Sequence, residues 1–376
     1  MKTTEVLVAG AGVIGAGIAY YLAKAGAGVT LLDRARPPAG ATASGASAGG
    51  VRQQGRVAPE LPLAIESIGM WATLEDELAF DLHYRRGGMT VCTDESALVP
   101  ALGQRVERER AMGLDIHLVE GEALHRLVPG LSPRIVAGSY CPTDGHADPM
   151  RTARAFSLAA ERRGARVRFP CAVTGFRRDG QRIVGVETTD GPMACETLVL
   201  AAGPWTHELA SRGGVALPML REGYLQMMVT ARRPHVLEQV LGWIGKGISL
   251  KQVPAGGFVI GGGWPGRGAV DRYETHLLPG SMAKSAATTV GLMPATANVP
   301  VVRAWVGAES FSRDEYPVIS PVPGHPGLLV AAGFSGHGFA LAPAVGRRVA
   351  EWLTTGRTPE LLRPFDIRRF QPREDA

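Results

Sequence analysis

Hydrophobic positions in the first thirty-odd residues fall into three consecutive patterns. Residues 6–9 are a short apolar run, long enough for a strand buried on both faces. Residues 13–25 carry apolar side chains at helical spacing and end at Gly26-Ala27-Gly28. Residues 29–32 form a second apolar run, closed by Asp33. Strand, helix and strand in that order predict a parallel β-α-β unit. Further along, apolar runs at 165–169, 171–177, 183–188 and 197–202 predict strands, with a hairpin turn at Asp179-Gly180. Alternating segments at 224–229, 248–253 and 257–262 predict antiparallel strands, the last two joined through Pro254-Ala255-Gly256. Strands are also expected at 79–92, 299–306, 316–319 and 328–332. Helices are expected at 63–78, 96–112, 120–128, 281–292 and 339–354, and from Pro149 to about 163 behind an Asp148 cap.

Segments of the first kind are interrupted by segments of the second. The expected fold class is therefore α/β: a Rossmann-type nucleotide-binding domain from 1–80, 144–215 and 318–376, interwoven with an antiparallel-sheet α+β substrate domain from 81–143 and 216–317. The 376 residues, 45% of them hydrophobic, suffice for two such cores. The net charge of +5 is dispersed, and no Lys/Arg run is dense enough for a nucleic-acid surface. Cys92, Cys141, Cys171 and Cys195 have no metal-like spacing and read as buried thiols of a reducing compartment. The first strand begins almost at Met1, which leaves no room for a signal peptide, and the glycines within 6–23 argue against a membrane span. The expected location is the cytoplasm.

The first loop carries the chemistry. Gly10, Gly12 and Gly15 form G-x-G-x-x-G between strand and helix. Gly10 permits the turn, Gly12 the approach of a pyrophosphate, and Gly15 close packing of helix on strand. The helix start offers N–H groups to phosphates, and Asp33 stands where a carboxylate takes ribose hydroxyls. The motif does not separate NAD from FAD. Small residues from Pro37 to Gly50 permit close backbone contact with a flat or phosphorylated ligand.

Several stretches together resemble the D-amino-acid-oxidase-like FAD-dependent oxidoreductases, which include glycine oxidase, the sarcosine oxidases and the flavin subunits of proline and opine dehydrogenases. They are G-A-G-V-I-G with Asp33-Arg34, A-S-G-A-S-A-G-G-V-R at 43–52, D-G-H-A-D-P at 144–149, A-A-G-P-W-T at 201–206 and A-A-G-F-S-G-H-G-F at 331–339. The A-S-A-G-G-V-R-Q-Q stretch at 46–54 is most similar to the sarcosine oxidase beta-subunit and proline dehydrogenase branch. The resemblance implies FAD held by Gly10, Gly12, Val13, Ile14, Gly15, Asp33 and Arg34. It also implies that Ser44, Ser47, Ala48, Gly49 and Gly50 line the pyrophosphate and flavin edge. Val173 would meet the adenine through its backbone, and Ala202, Gly203 and Trp205 would pass beside the cofactor. Gly333, Phe334, Ser335, Gly336, His337, Gly338 and Phe339 would lie by the flavin ring and ribityl chain.

Departures from the family pattern narrow the expectation. Glu309 stands where glycine-oxidase-like members carry an arginine that grips the substrate carboxylate. No cysteine follows Cys195, so FAD is expected to be non-covalent. Ala340 stands where the monomeric sarcosine oxidases carry a lysine, which leaves the acceptor open between oxygen and a partner protein or quinone. The candidate substrate residues are Glu309, His337, Arg52 and Tyr224, with Trp243 and Trp264 as further walls and Lys246 and Lys251 as further cations. His146 falls near where heterotetrameric sarcosine oxidases hold a second flavin, although a turn residue explains it as well. The expected activity is oxidation of the C–N bond of a secondary amine or amino acid to an imine. A 2-hydroxy acid dehydrogenase and the flavin subunit of a multi-subunit dehydrogenase with a small electron-transfer subunit remain as alternatives.

Overall fold

The computed structural model describes residues 3–37 and 41–371. Residues 38–40 of the small-residue loop and 372–375 of the charged end lie outside them. Two eight-stranded sheets organise the chain. The first runs Val318–Pro321, Leu328–Ala332, Met193–Leu200, Thr3–Ala9, Val29–Leu32, Arg166–Arg168. Its centre is parallel, with Val6 level with both Thr197 and Val29. Its margins are antiparallel, through Val318–Pro321 on one side and the hairpin Val173–Asp179/Arg182–Thr188 packed on Met193–Leu200.

The unbroken apolar run at 6–9 has the expected cause. Val6 and Val8 face one core, with Tyr20, Phe156 and Val345; Leu7 and Ala9 face another, with Leu198, Leu200 and Val330. Both faces are covered, as parallel strands require. On the first face the helices Val13–Lys24 and Gly338–Thr355 approach at glycines: a Cβ on Gly346 would lie 2.8 Å from the Gly17 carbonyl carbon.

The second sheet runs Val301–Ser312, Leu220–Thr230, Phe258–Gly261, Ile248–Gln252, Val240–Trp243, Met89–Thr93, Ala137–Cys141, His117–Glu120. It is antiparallel except between Val240–Trp243 and Met89–Thr93, which run parallel. That pair departs from the expected pattern because the chain returns to this sheet from a distant segment.

Other elements also differ from the sequence reading. The helix expected at 63–78 is two, Leu61–Trp71 and Leu74–Leu78, the second stopped by Ala79 at a φ of 46°. Of the strand expected at 79–92, only Met89–Thr93 forms. The residues before it stay irregular because Glu75 Oε1 accepts from the N–H groups of Leu82 (2.7 Å) and Tyr84 (3.2 Å). His117–Glu120 and Ala137–Cys141 were not anticipated, since one is mostly exposed and the other contains Gly138, Ser139 and Tyr140. Val301–Ser312 extends well past 306 and so carries Glu309 on a strand, level with Gly223. Among the described residues, no helix is long and apolar enough to cross a membrane.

Candidate active site

A cavity of about 860 Å³ runs from the carboxyl ends of the parallel strands to the face of the second sheet. Its first end is built by the glycine loop. Gly10 has a φ of 106°, and a Cβ there would overlap the backbone at Ala201 and Ala202. At Gly12 a Cβ would stand 3.2 Å from Ser44 Oγ. No side chain caps the helix at Gly12, although Ser44 Oγ accepts from Val13 N at 2.9 Å. The first turn therefore presents N–H groups and the positive end of the helix dipole to the cavity, where Gly12, Val13 and Ile14 line the wall. Gly15 is off the cavity: a Cβ there would overlap Gly10 O, so this glycine packs helix on strand.

Asp33 closes this end. Its Oδ2 accepts from Ala11 N at 2.8 Å and its Oδ1 from Ala35 N at 3.0 Å, which leaves each oxygen a lone pair for a ligand. Burial pushes its pKa up against those two bonds. Arg34 lies with its guanidinium carbon 3.3 Å from the Tyr273 ring centroid and 4.3 Å from that of Trp205. Tyr273 belongs to the second unit's hairpin region and was not singled out from sequence, because an isolated tyrosine in a polar turn carries no signal. Val173, Ala202, Gly203 and Trp205 line this end as well. Together, the glycine cradle, the uncapped helix start and the buried acid fit the adenosine and pyrophosphate of a dinucleotide.

Ser47, Ala48, Gly49 and Gly50 line the middle of the cavity, facing the turn from Gly333 to Phe339. Ser335 has a φ of 50°, and its N–H donates to Ser310 O at 3.0 Å, which pins the turn to the strand that bears Glu309. Glu309 Oε1 accepts from Gly336 N at 2.9 Å. Its remaining edge faces the cavity, and burial pushes its pKa up to about 7. His337 opens the last helix without a side-chain cap. Its Nδ1 lies 2.8 Å from Glu60 Oε2 and 3.2 Å from Oε1. Burial, assisted by the Arg56 charge, pushes the imidazole pKa down to about 4 despite Glu60, so the ring is neutral at pH 7. Glu60 remains ionised: burial would raise it, but His337, Arg56 and Arg52 hold it below the usual range. A carboxylate only accepts, so Nδ1 carries the proton and Nε2 keeps a lone pair.

Arg52 lines the cavity, and two arginines overlooked in the sequence stand with it, Arg56 and Arg105. The spacing V-R-Q-Q-G-R could have exposed Arg56; nothing about Arg105 on its helix could. Tyr224 is a correction. It lies outside the cavity wall, with its ring against Gly268, because its register opposite Ala308 turns it to the other face of the sheet. Trp264 is likewise off the wall, whereas Trp243 is on it and donates from Nε1 to Asp94 Oδ1 at 2.9 Å. Lys246 sits at the surface near Glu95, and Lys251 is buried behind the wall, where its Nζ donates to Ala147 O at 3.1 Å. His146 is buried, its backbone paired with Gly50 and Arg85, and burial depresses its pKa far below the usual value. The four cysteines are buried and free, and only Cys171, beside Asp33, reaches the cavity.

A parallel sheet with a dinucleotide cradle, facing a second sheet across one cavity, defines a nucleotide-cofactor oxidoreductase architecture. The chain belongs to the DAO family of FAD dependent oxidoreductases, whose model matches residues 5–352. It is 27% identical to sarcosine oxidase subunit beta of Rhizobium meliloti (strain 1021), over 98% of this chain and 88% of that protein. It is 26% identical to the mitochondrial dimethylglycine dehydrogenase of Mus musculus over 97% of this chain, but spans 44% of that longer protein. Among solved structures, the L-proline dehydrogenase from P. horikoshii superposes with a TM-score of 0.92 at 26% identity, covering 98% of each chain.

Proposed function

We propose that this FAD-dependent oxidoreductase oxidises the C–N bond of a secondary amine or an N-substituted amino acid. The observation that carries the reading is the single cavity that joins a dinucleotide cradle to Glu309, His337 and Arg52. The relatives support it, since their names specify sarcosine, dimethylglycine and proline.

Bound FAD supplies the two-electron acceptor chemistry. The chain's own residues would hold and orient it: Asp33 would accept from the ribose hydroxyls, the Gly12 and Ile14 N–H groups would take the pyrophosphate, since that of Val13 is donated to Ser44 Oγ, and Val173 would offer its backbone to the adenine. The last helix starts at Gly338, and its dipole stabilises negative charge near the Gly333–Phe339 turn. Non-covalent binding is supported by Cys171 lying at the Asp33 end and by the burial of His146 behind the wall. Glu309, with a pKa of about 7, is matched to taking a proton from an incoming ammonium at its cavity-facing oxygen. The neutral His337 Nε2 is a second acceptor.

Anaerobic mixing with amines, N-methyl amino acids, proline and 2-hydroxy acids tests the reading through flavin bleaching. Bleaching by an amine or amino acid supports it, and bleaching by 2-hydroxy acids alone refutes it. Similarity to an oxidase subunit along 88% of that subunit favours a second component: a partner polypeptide that carries electrons onward. Co-purification of such a subunit, and slow reoxidation by oxygen, test that part. Four buried, unpaired thiols support a reducing, cytoplasmic location.

A further inference from the structure

A short hairpin outside both main sheets spans the cavity at its dinucleotide end. Its strands, Arg267–Ala269 and Glu274–His276, form a two-stranded sheet of their own. Both feet are fastened at one place on the second sheet. Gln226 N donates to Trp264 O at 2.9 Å, Gly266 N donates to Tyr224 O at 2.9 Å, and Gln226 Oε1 accepts from Leu278 N at 3.3 Å. The hairpin rests on the Tyr224 ring at a glycine: a Cβ on Gly268 would stand 2.5 Å from that ring and would overlap Glu274 O.

The tip crosses to the first unit. Trp205 Nε1 donates to Val270 O at 2.8 Å. The Arg34 guanidinium carbon lies 3.3 Å from the Tyr273 ring centroid and 4.3 Å from that of Trp205, while the two rings stand 5.8 Å apart, so Arg34 is held in the angle between them. Arg34 directly follows Asp33, the acid that closes the cradle. Tyr273 has a φ of 57°, a left-handed backbone that a bulky side chain adopts only where its surroundings impose it. The residue is 53% exposed, so burial does not impose it; the turn from Val270 O to Tyr273 N and the stack on Arg34 do. The other charged groups of the hairpin engage one another: Arg272 Nε and His276 Nε2 stand 3.3 and 3.7 Å from Glu274 Oε2. Among the described residues, one hydrogen bond and one aromatic stack thus hold the tip to the first unit, against three hydrogen bonds at the feet.

We infer that the hairpin 267–276 is a strap over the dinucleotide end of the cavity: Tyr273 holds Arg34 across the mouth, and FAD enters and leaves when the strap lifts. Arg34, Trp205 and Tyr273 all line the cavity, so lifting the tip opens the wall there. Tyr273 is a positioning residue, since it acts through Arg34. The glycine cradle and Asp33 belong to the first unit and the strap to the second, so the second unit governs cofactor exchange as well as walling the cavity. The inference concerns the cofactor alone and stands apart from the choice of substrate.

The test compares the FAD-loaded wild type with Tyr273→Asn, Tyr273→Phe and Gly268→Ala. Release is followed by exchange of bound FAD for an excess of radiolabelled FAD, and entry by mixing the flavin-stripped protein with FAD. Asparagine tolerates the left-handed backbone, so Tyr273→Asn removes the ring and keeps the turn. It is expected to speed release and entry alike, each by roughly 5- to 30-fold for the loss of one cation–aromatic stack, so that Kd moves less than either rate. Tyr273→Phe keeps the ring and stays close to the wild type. Gly268→Ala unseats the hairpin from Tyr224 and speeds both rates by a separate route. Faster release with unchanged entry overturns the strap, because that pattern marks a plain cofactor contact. Unchanged release in Tyr273→Asn overturns it as well, and so does a Tyr273→Phe variant as fast as Tyr273→Asn. Tyr273 lies at an exposed tip, so its variants decide the matter even where Gly268→Ala fails to fold.

Discussion

Replacing Glu309 by glutamine keeps the shape and the bond from Gly336 N but removes a titrating group from an enclosed wall. Burial is the first cause of the raised pKa, so ionisation is what the folded state resists. The unfolded carboxyl titrates near its ordinary value of about 4.3, the folded one at about 7. Below both values the group is neutral in either state and contributes no pH dependence. As pH rises from about 4.5 to about 7, only the unfolded chain loses the proton, and stability falls; above about 7 the loss is complete and constant. At 1.36 kcal/mol for each pK unit the full difference approaches 4 kcal/mol, and contact with the cavity's solvent lowers this to about 2 kcal/mol. Thermal unfolding of the FAD-loaded wild type and Glu309→Gln across pH 4.5–8 measures it. The variant is expected to gain on the wild type as pH rises, by several degrees at pH 8, and to match it at pH 4.5. Parallel Tm profiles across the range would refute the assignment of a buried, unpaired carboxyl.

Asp33→Ala removes the acceptor for Ala11 N and Ala35 N together with that for the ribose. A charge-assisted bond is worth about 1.5–3 kcal/mol, so FAD affinity should fall at least roughly tenfold in a flavin-fluorescence titration, and unchanged affinity would place the ribose elsewhere. Acid precipitation should release all of the yellow flavin into the supernatant; colour retained by the pellet contradicts non-covalent binding. Gly346→Ala drives a methyl into the Gly17 backbone, at 2.8 Å from C and 2.9 Å from O, and overpacking of this kind costs about 1–3 kcal/mol, readable as a lowered Tm.

The parts of the site that were legible in the sequence are those whose residues lie close together along the chain and whose backbone chemistry is unusual. Gly10, Gly12 and Asp33 belong to one β-α-β unit, and the constraint on each is local: a φ of 106° at Gly10, an uncapped helix start at Gly12, an acid at the end of the next strand. The 331–339 stretch was legible for the same reason. The irregular loop before Met89 was not, because a single distant carboxylate, Glu75, fixes it through two N–H groups. Tyr224 failed because the face of a strand is set by register, and register depends on the partner: opposite Ala308 its ring turns away from the cavity, while the neighbouring Leu225 and Met227 line it.

The arginine cluster shows the same limit at the level of charge. Arg52 and Arg56 are four residues apart, but Arg105 comes from a helix fifty residues later and is held by Ser139 on a strand that the sequence did not announce. A formal charge of +5 spread over the chain gives no warning that three of its guanidinium groups meet in one desolvated pocket. The count matters less than the pairing: Glu60 stands 3.7 Å from Arg56 Nη1 and Glu109 3.7 Å from Arg105 Nε, while Arg52 makes no ion pair among the described residues and draws on the charges of Asp144, Glu60 and Glu109 at longer range. The cluster is thus assembled from a loop and a helix far apart in the chain, whereas the glycines of the cofactor cradle come from one loop.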